Sequence, residues 1–145
     1  MPVKPQSLEN HVRFVPLYHL ALTLLLLVNL GFWVRVSLLG FTGLRLAGLC
    51  VALALFLLFF YARQFAVTVQ DRVIRLEMRL RMERLLPADL VGRFGEFELQ
   101  QLVALRFAGD GELADLARRV LAGELRSNAQ IKQQIKDWQA DWLRA

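Results

Sequence analysis

The sequence predicts an all-α protein: a two-helix transmembrane hairpin whose second helix extends into a cytosolic helical bundle. Three observations carry this. Residues 14–62 hold no acidic residue and only two fixed charges, Arg35 and Arg45. No glycine or proline lies between Gly48 and Pro87, so nothing stops the second span at a membrane surface. Beyond Pro87 the apolar residues recur at helical spacing behind capping residues.

Composition locates the boundaries. The chain has 145 residues, 56% of them hydrophobic, above the ordinary globular range, and a mean hydropathy of +0.39. That excess is concentrated in residues 14–62, and the composition shifts at Ala62–Arg63. The chain therefore reads as an N-terminal cytosolic strap (1–13), a transmembrane hairpin (14–62) and a cytosolic helical tail (63–145). The tail carries fourteen bases against twelve acids, and the whole chain has net charge +5.

The first span, Phe14 to Val34, has 21 residues without a fixed charge, enough to cross ~30 Å of hydrocarbon at ~1.5 Å per residue. It ends in Phe32-Trp33-Val34-Arg35, an interfacial aromatic and a base, with no small-x-small cleavage site of a signal peptide. The second span runs from Leu44 to Ala62. Gly40-Phe41-Thr42-Gly43 joins them, and so short a link forces an antiparallel hairpin. Lys4, Arg13 and six arginines from Arg63 to Arg84 flank the open ends, against Arg35 and Arg45 at the closed end. Eight bases against two place both termini in the cytoplasm, beside anionic lipid headgroups. Arg35 and Arg45 are expected to snorkel to the opposite headgroups.

Within the spans, Gly43 and Ala47, Gly48 and Ala52, and Cys50 and Ala54 stand at helical spacing in pairs of small residues that let backbones approach. They serve packing against the first span or self-association into a homo-oligomer. Asn29 lies deep in the leucine-rich first span, where an unbonded amide is costly, so it is expected to face another helix.

In the tail, Val69, Val73, Leu76 and Leu80 recur at four- and three-residue steps, a seam that predicts one helix from Leu44 to Leu86, about 64 Å long. About half of it would project into the cytoplasm and bury that seam. Glu96 to Phe107 reads as a helix carrying Leu99, Leu102, Val103 and Leu105. Asp110 can cap the next, whose Leu113, Leu116, Ala117, Val120 and Leu121 form one face. Ser127 followed by Gln130 is a capping box opening the last helix, with Ile131, Ile135, Trp138 and Trp142 on one side. Together these are enough for a small bundle, the alternative being that the tryptophans lie in the headgroup layer.

The chemistry-bearing residues gather at the cytoplasmic interface. His11, Arg13 and His19 precede the first span, and Asp71, Arg72 and Glu77 follow the second. Pro16 between the histidines suits the first turn of a helix. Hairpin geometry sets His19 level with Gln64 and brings His11 and Arg13 toward Asp71 and Glu77, a network that would lock strap to helix. Two histidines eight residues apart with a proline between match no established ligand spacing, so no metal is expected. Neither nucleophile–base pair nor glycine-rich phosphate loop is present, which argues against an enzyme and against a cofactor. Most of the tail lacks a basic stripe, which argues against nucleic acid. Cys50, the sole cysteine, forms no disulfide within the chain and reads as a small apolar residue.

The motif H-x-R-F-x-P-x-x-H (His11 to His19) with Q-D-R-V-I-R-L-E (Gln70 to Glu77) resembles a family of small bacterial membrane proteins of unknown function. Q-L-V-A-L-R-F-A-G-D-G-E-L (Gln101 to Leu113) and I-K-Q-Q-I-K-D-W-Q-A-D-W-L-R (Ile131 to Arg144) extend the resemblance over nearly the whole chain. It implies bacterial origin and two spans, hence the inner membrane, and says nothing of an activity. The expected role is structural or interactive, with a subunit of a small oligomeric channel or transporter as the alternative.

Overall fold

Helix formation follows where glycine, proline and capping groups permit it. The computed structural model describes residues 6–8, 10 and 14–141. Its elements are a π-helical turn (Leu17–Leu22) leading into α1 (Thr23–Leu38), then α2 (Gly43–Leu85), α3 (Ala88–Val91), a 3-10 turn (Phe94–Glu96), α4 (Leu99–Leu105), α5 (Asp110–Leu121) and α6 (Asn128–Gln134). Among the described residues the only β pairing is an isolated antiparallel bridge between Ala108 and Trp138. The chain forms two units, one of residues 13–67 and one of residues 1–12 with 68–145. The all-helical expectation holds, and the long helix spans nearly the residues expected of it.

The hairpin unit is held by few interactions. Arg35 does not end α1, which continues to Leu38. The break comes at Gly40, whose φ of +135° only glycine adopts without strain. Thr42 Oγ1 accepts the Arg45 N–H at 3.3 Å, and Arg45 Nη1 donates to the Gly40 carbonyl at 2.8 Å. Arg45 thus closes the turn. Gly48 packs under the Trp33 ring, and a Cβ there would run into it. Tyr18 stacks on Phe59 at 4.6 Å and donates its hydroxyl proton to the Phe59 carbonyl at 2.9 Å. That pairing lies more than a turn short of Gln64, the level expected for the neighbouring His19. Among the described residues of this unit only Ser37 and Ala52 are buried. Leu17–Leu38 and Gly43–Leu85 are long and apolar enough to cross a membrane, and almost none of their apolar windows is covered by the chain itself.

The second unit has a core of the ordinary kind. Ile74, Met78, Met82 and Leu86, spaced four apart along and just beyond α2, meet Leu102, Leu105, Leu113, Leu116, Val120 and Ile131. This corrects the expected seam. Val69, Val73, Leu76 and Leu80 are 61%, 47%, 58% and 59% exposed, while the opposite stripe is buried. Both stripes have helical spacing, so periodicity alone could not choose between them. The buried one places two methionines, whose unbranched chains fill irregular gaps, against the short helices.

Those helices differ from expectation mainly at their ends. The stretch from Glu96 shortens to α4, because Phe97 is extended and Glu98 starts the helix with its N–H donated to Gln101 Oε1 at 2.9 Å. Asp110 is the first residue of α5 and not its cap. Gly109 is the cap, and Glu112 Oε1 accepts its N–H at 3.3 Å. The Ser127 capping box is present: Ser127 Oγ accepts the Gln130 N–H at 3.2 Å and Gln130 Oε1 accepts the Ser127 N–H at 3.1 Å. α6 ends at Gln134, well before Trp138. Glu112 takes the Lys136 and Asp137 N–H groups at 3.0 and 3.1 Å, and the Phe107 carbonyl takes that of Gln139 at 2.8 Å. With those donors satisfied across the fold, the segment extends instead of continuing the helix. Trp142 lies outside the described residues.

Candidate functional site: an arginine node joining the chain ends

The most elaborate polar arrangement lies in the unit of residues 1–12 and 68–145, and it begins with the backbone of residues 138–141. The extended course forced by Glu112 and Phe107 lays Trp138 on Phe107, rings 4.7 Å apart and nearly parallel at 17°. It also presents the Asp141 backbone to Gln6. Gln6 is buried, its Nε2 donating to the Asp141 carbonyl at 3.1 Å and its Oε1 accepting the Asp141 N–H at 2.8 Å. One side-chain amide thereby pairs with one residue's backbone as a strand would, pinning the N-terminal strap to the end of the tail.

Beneath that pin sits Arg106. Its guanidinium lies 4.6 Å from the centre of the Phe107 ring and 3.3 Å from Asp141 Oδ2, with only 9% of the side chain exposed. Burial lowers its pKa, and Asp141, Asp71 and Glu77 act against that effect. Its Nε and Nη1 are buried without a hydrogen-bond partner among the described residues. Arg106, Arg81, Glu77, Met78, Gln139, Ala140 and Asp141 line a cleft of about 180 Å³. Its lining carries two arginines against two carboxylates, Glu77 and Asp141.

Arg81 is the second clamp. Its Nε and Nη2 donate to Asp110 Oδ1 at 2.9 and 2.6 Å, and its Nη1 and Nη2 donate to the Arg106 and Ala108 carbonyls at 3.1 and 2.6 Å. The guanidinium therefore ties α2 to the α4–α5 connection, and it holds the Asp110 carboxyl below the usual carboxylate range.

Of the residues singled out in the sequence, Asp71 and Glu77 act on Arg106 electrostatically. Arg72 instead lines an open cleft of about 580 Å³ with Arg75, Leu76, Arg79 and Phe94. His19 turns toward its own helix start, Nδ1 2.9 Å from the Val15 carbonyl oxygen and its ring stacked on Phe14 at 5.0 Å. His11 and Arg13 lie outside the described residues. Asn29 sits on the exposed surface of α1, uncovered by α2. Sequence reasoning missed Gln6, Arg81 and Arg106. A basic residue amid an otherwise apolar stripe, as at Arg106 within Leu105–Ala108, was the available signal for the last.

Among the described residues no cluster of three or more histidine, cysteine or acidic side chains could hold a metal ion. The node joins Gln6 to the Asp141 backbone and α2 to the α4–α5 connection. No curated protein and no solved structure matches the chain. The family of unknown function DUF6526 matches residues 1–145, and the chain belongs to it.

Proposed function

We propose that this chain is a non-enzymatic, self-associating protein of the bacterial inner membrane, spanning it twice with both ends in the cytoplasm and serving a structural or interaction role. The observation that carries the reading is the exposure of the two apolar helices. A core helix of a soluble protein is mostly buried. Here the most apolar windows of the two helices are 0% and 6% buried, and lipid is the solvent that suits such surfaces. The Gln6–Asp141 pairing supports the topology, since residues on the two flanks of the hairpin bind each other and so belong on one side. The excess of basic residues on that side supports the cytoplasm. Extraction of membranes with alkaline carbonate tests the placement: the protein should stay in the pellet, and release into the supernatant would refute it. A reporter fused after Ala145 that is active only in the periplasm would refute the topology.

The second reading, a subunit of a small oligomeric channel, is favoured by one observation. Asn29 is exposed on α1 with no hydrogen-bond partner for its side chain among the described residues. Assembly of several hairpins could bring such amides together along a path. Ion flux through liposomes carrying the protein, abolished by Asn29→Leu, is the expected signature of that reading. Flux at the level of empty liposomes removes it.

A further inference from the structure

The cytoplasmic half of α2 is apolar on two opposite faces, and its own chain covers one of them. At about 100° per residue, Ile74, Met78 and Met82 form the face buried in the core, and Val69, Val73, Leu76 and Leu80 lie across the helix from it, each about half exposed or more. The spacing of this second face is four, three, four, the step of a coiled-coil seam with Val73 and Leu80 at a and Val69 and Leu76 at d. In that register Arg72 and Arg79 occupy g, and Glu77 and Arg84 occupy e.

We infer that this seam is the contact between two copies of the chain, which pair as a parallel two-stranded coiled coil through Val69, Val73, Leu76 and Leu80, with Arg72 of each copy bonded to Glu77 of the other. The inference rests on the membrane reading above, because copies inserted with one orientation can bring their α2 helices together only in parallel. In a parallel pair, a g residue meets the e residue five positions on in the partner helix. Arg72 and Glu77 have that separation and opposite charges, and neither is in a direct salt bridge in its own chain among the described residues, although Glu77 also lines the cleft of Arg106. The next such position would oppose Arg79 to Arg84. Arg79 is already neutralised by Glu83, Nε to Oε1 at 2.9 Å, so that repulsion is blunted. Two heptads are short for an isolated coiled coil, but confinement of both copies to one bilayer raises their effective concentration and lets a weak seam suffice.

Disulfide trapping in the full chain, reconstituted in liposomes, tests this. In a Cys50→Ser background, Leu76→Cys should form a covalent dimer under mild oxidation and Arg75→Cys, off the seam, should not. Arg72→Glu or Glu77→Arg added to Leu76→Cys should lower the trapped fraction several-fold, and the two together should restore it, which misfolding cannot mimic. Absence of trapping at Leu76, equal trapping at Arg75, or failure of the double reversal to restore it would overturn the seam. Carbonate extraction of the same liposomes separates the two readings. Retained protein without trapping sinks the seam alone, whereas released protein overturns the membrane placement and the parallel pairing with it.

Discussion

The hairpin and the bundle hold similar numbers of leucine, valine and alanine residues, 27 in residues 14–62 and 29 in residues 63–145, yet they use them in opposite ways. In the hairpin, Leu24, Leu25, Val28 and Phe32 stand exposed, and among the described residues only Ser37 and Ala52 are buried. In the bundle, Leu102, Leu105, Phe107, Leu113 and Ile131 are fully covered. Water drives apolar side chains together, whereas in the membrane placement proposed above lipid tails, as apolar as leucine, would give two helices no such reason to meet. The hairpin is accordingly held by a glycine under a tryptophan, one tyrosine hydroxyl and a turn closed by Arg45. The bundle has a buried apolar core, with Arg81 bonding two carbonyls and Asp110 at its edge and Arg106 paired with Asp141.

If that contrast is right, truncating a leucine should matter in one unit and hardly in the other. Leu105→Ala removes a fully covered side chain and should destabilise the bundle by about 2–5 kcal/mol. Leu24→Ala, 63% exposed, should leave the thermal transition of the detergent-solubilised protein nearly unmoved. Equal losses would break the comparison. Arg81→Ala should come next, at about 2–3 kcal/mol, because it removes at once the donors to the Arg106 and Ala108 carbonyls and the charged partner of Asp110. Arg81→Lys should recover little, since an ammonium cannot span the same fork of acceptors. A lysine variant as stable as the native chain would show that charge alone suffices there.

The hairpin has its own sensitive point, and it concerns closeness rather than burial. Gly48→Ala should force Trp33 aside and cost about 1–3 kcal/mol, as overpacking does. Gly31, with nothing within 4 Å of a Cβ, is the control: Gly31→Ala should be neutral, or stabilising by up to about 1 kcal/mol through helix propensity. Thermal melts of the two variants side by side decide it. If both behave alike, the Trp33–Gly48 contact does not hold the helices together.

These contrasts also mark how far the sequence could be read. The acid-free block, the unbroken helix through residues 49–85 and the Ser127 capping box are local signals, and each was legible. So was the apolar face of α5. Choosing between two apolar stripes on α2 was not, because both have helical period and only the packing of α3 to α6 decides which is covered. The early end of α6 was hidden for a related reason: Glu112, more than twenty residues upstream, takes the N–H groups that would have continued the helix. Gln6 was invisible on its own, since an amide near a terminus looks like any solvated side chain until Asp141 is brought to it. Arg81 read as one more member of a basic run, and nothing local distinguishes a cation held by carbonyls from one facing water.

The smallest effect separates the units by acid. Residues 14–62 contain no carboxylate, so any loss of stability between about pH 5 and pH 2 reports on the bundle. Asp110 has a folded pKa held below its unfolded value, chiefly by the hydrogen bond from Arg81. The unfolded chain therefore takes up the proton first as pH falls. The stabilisation is fully present above the unfolded value near 3.9 and disappears as pH drops through the folded value. Asp110 is half exposed, so the contribution is about 0.5 kcal/mol after solvent screening. Asp110→Asn removes the titration and keeps the shape. Its midpoint should lie a degree or two (~0.5 kcal/mol) below that of the native chain at pH 7, and the two should converge as pH falls from about 4 toward 2. Glu96, held low by Arg93, titrates with the same sign but in both proteins, so it cancels in the difference. A gap that stays constant from pH 7 to pH 2.5 would mean that Asp110 serves Arg81 through shape alone, without its charge.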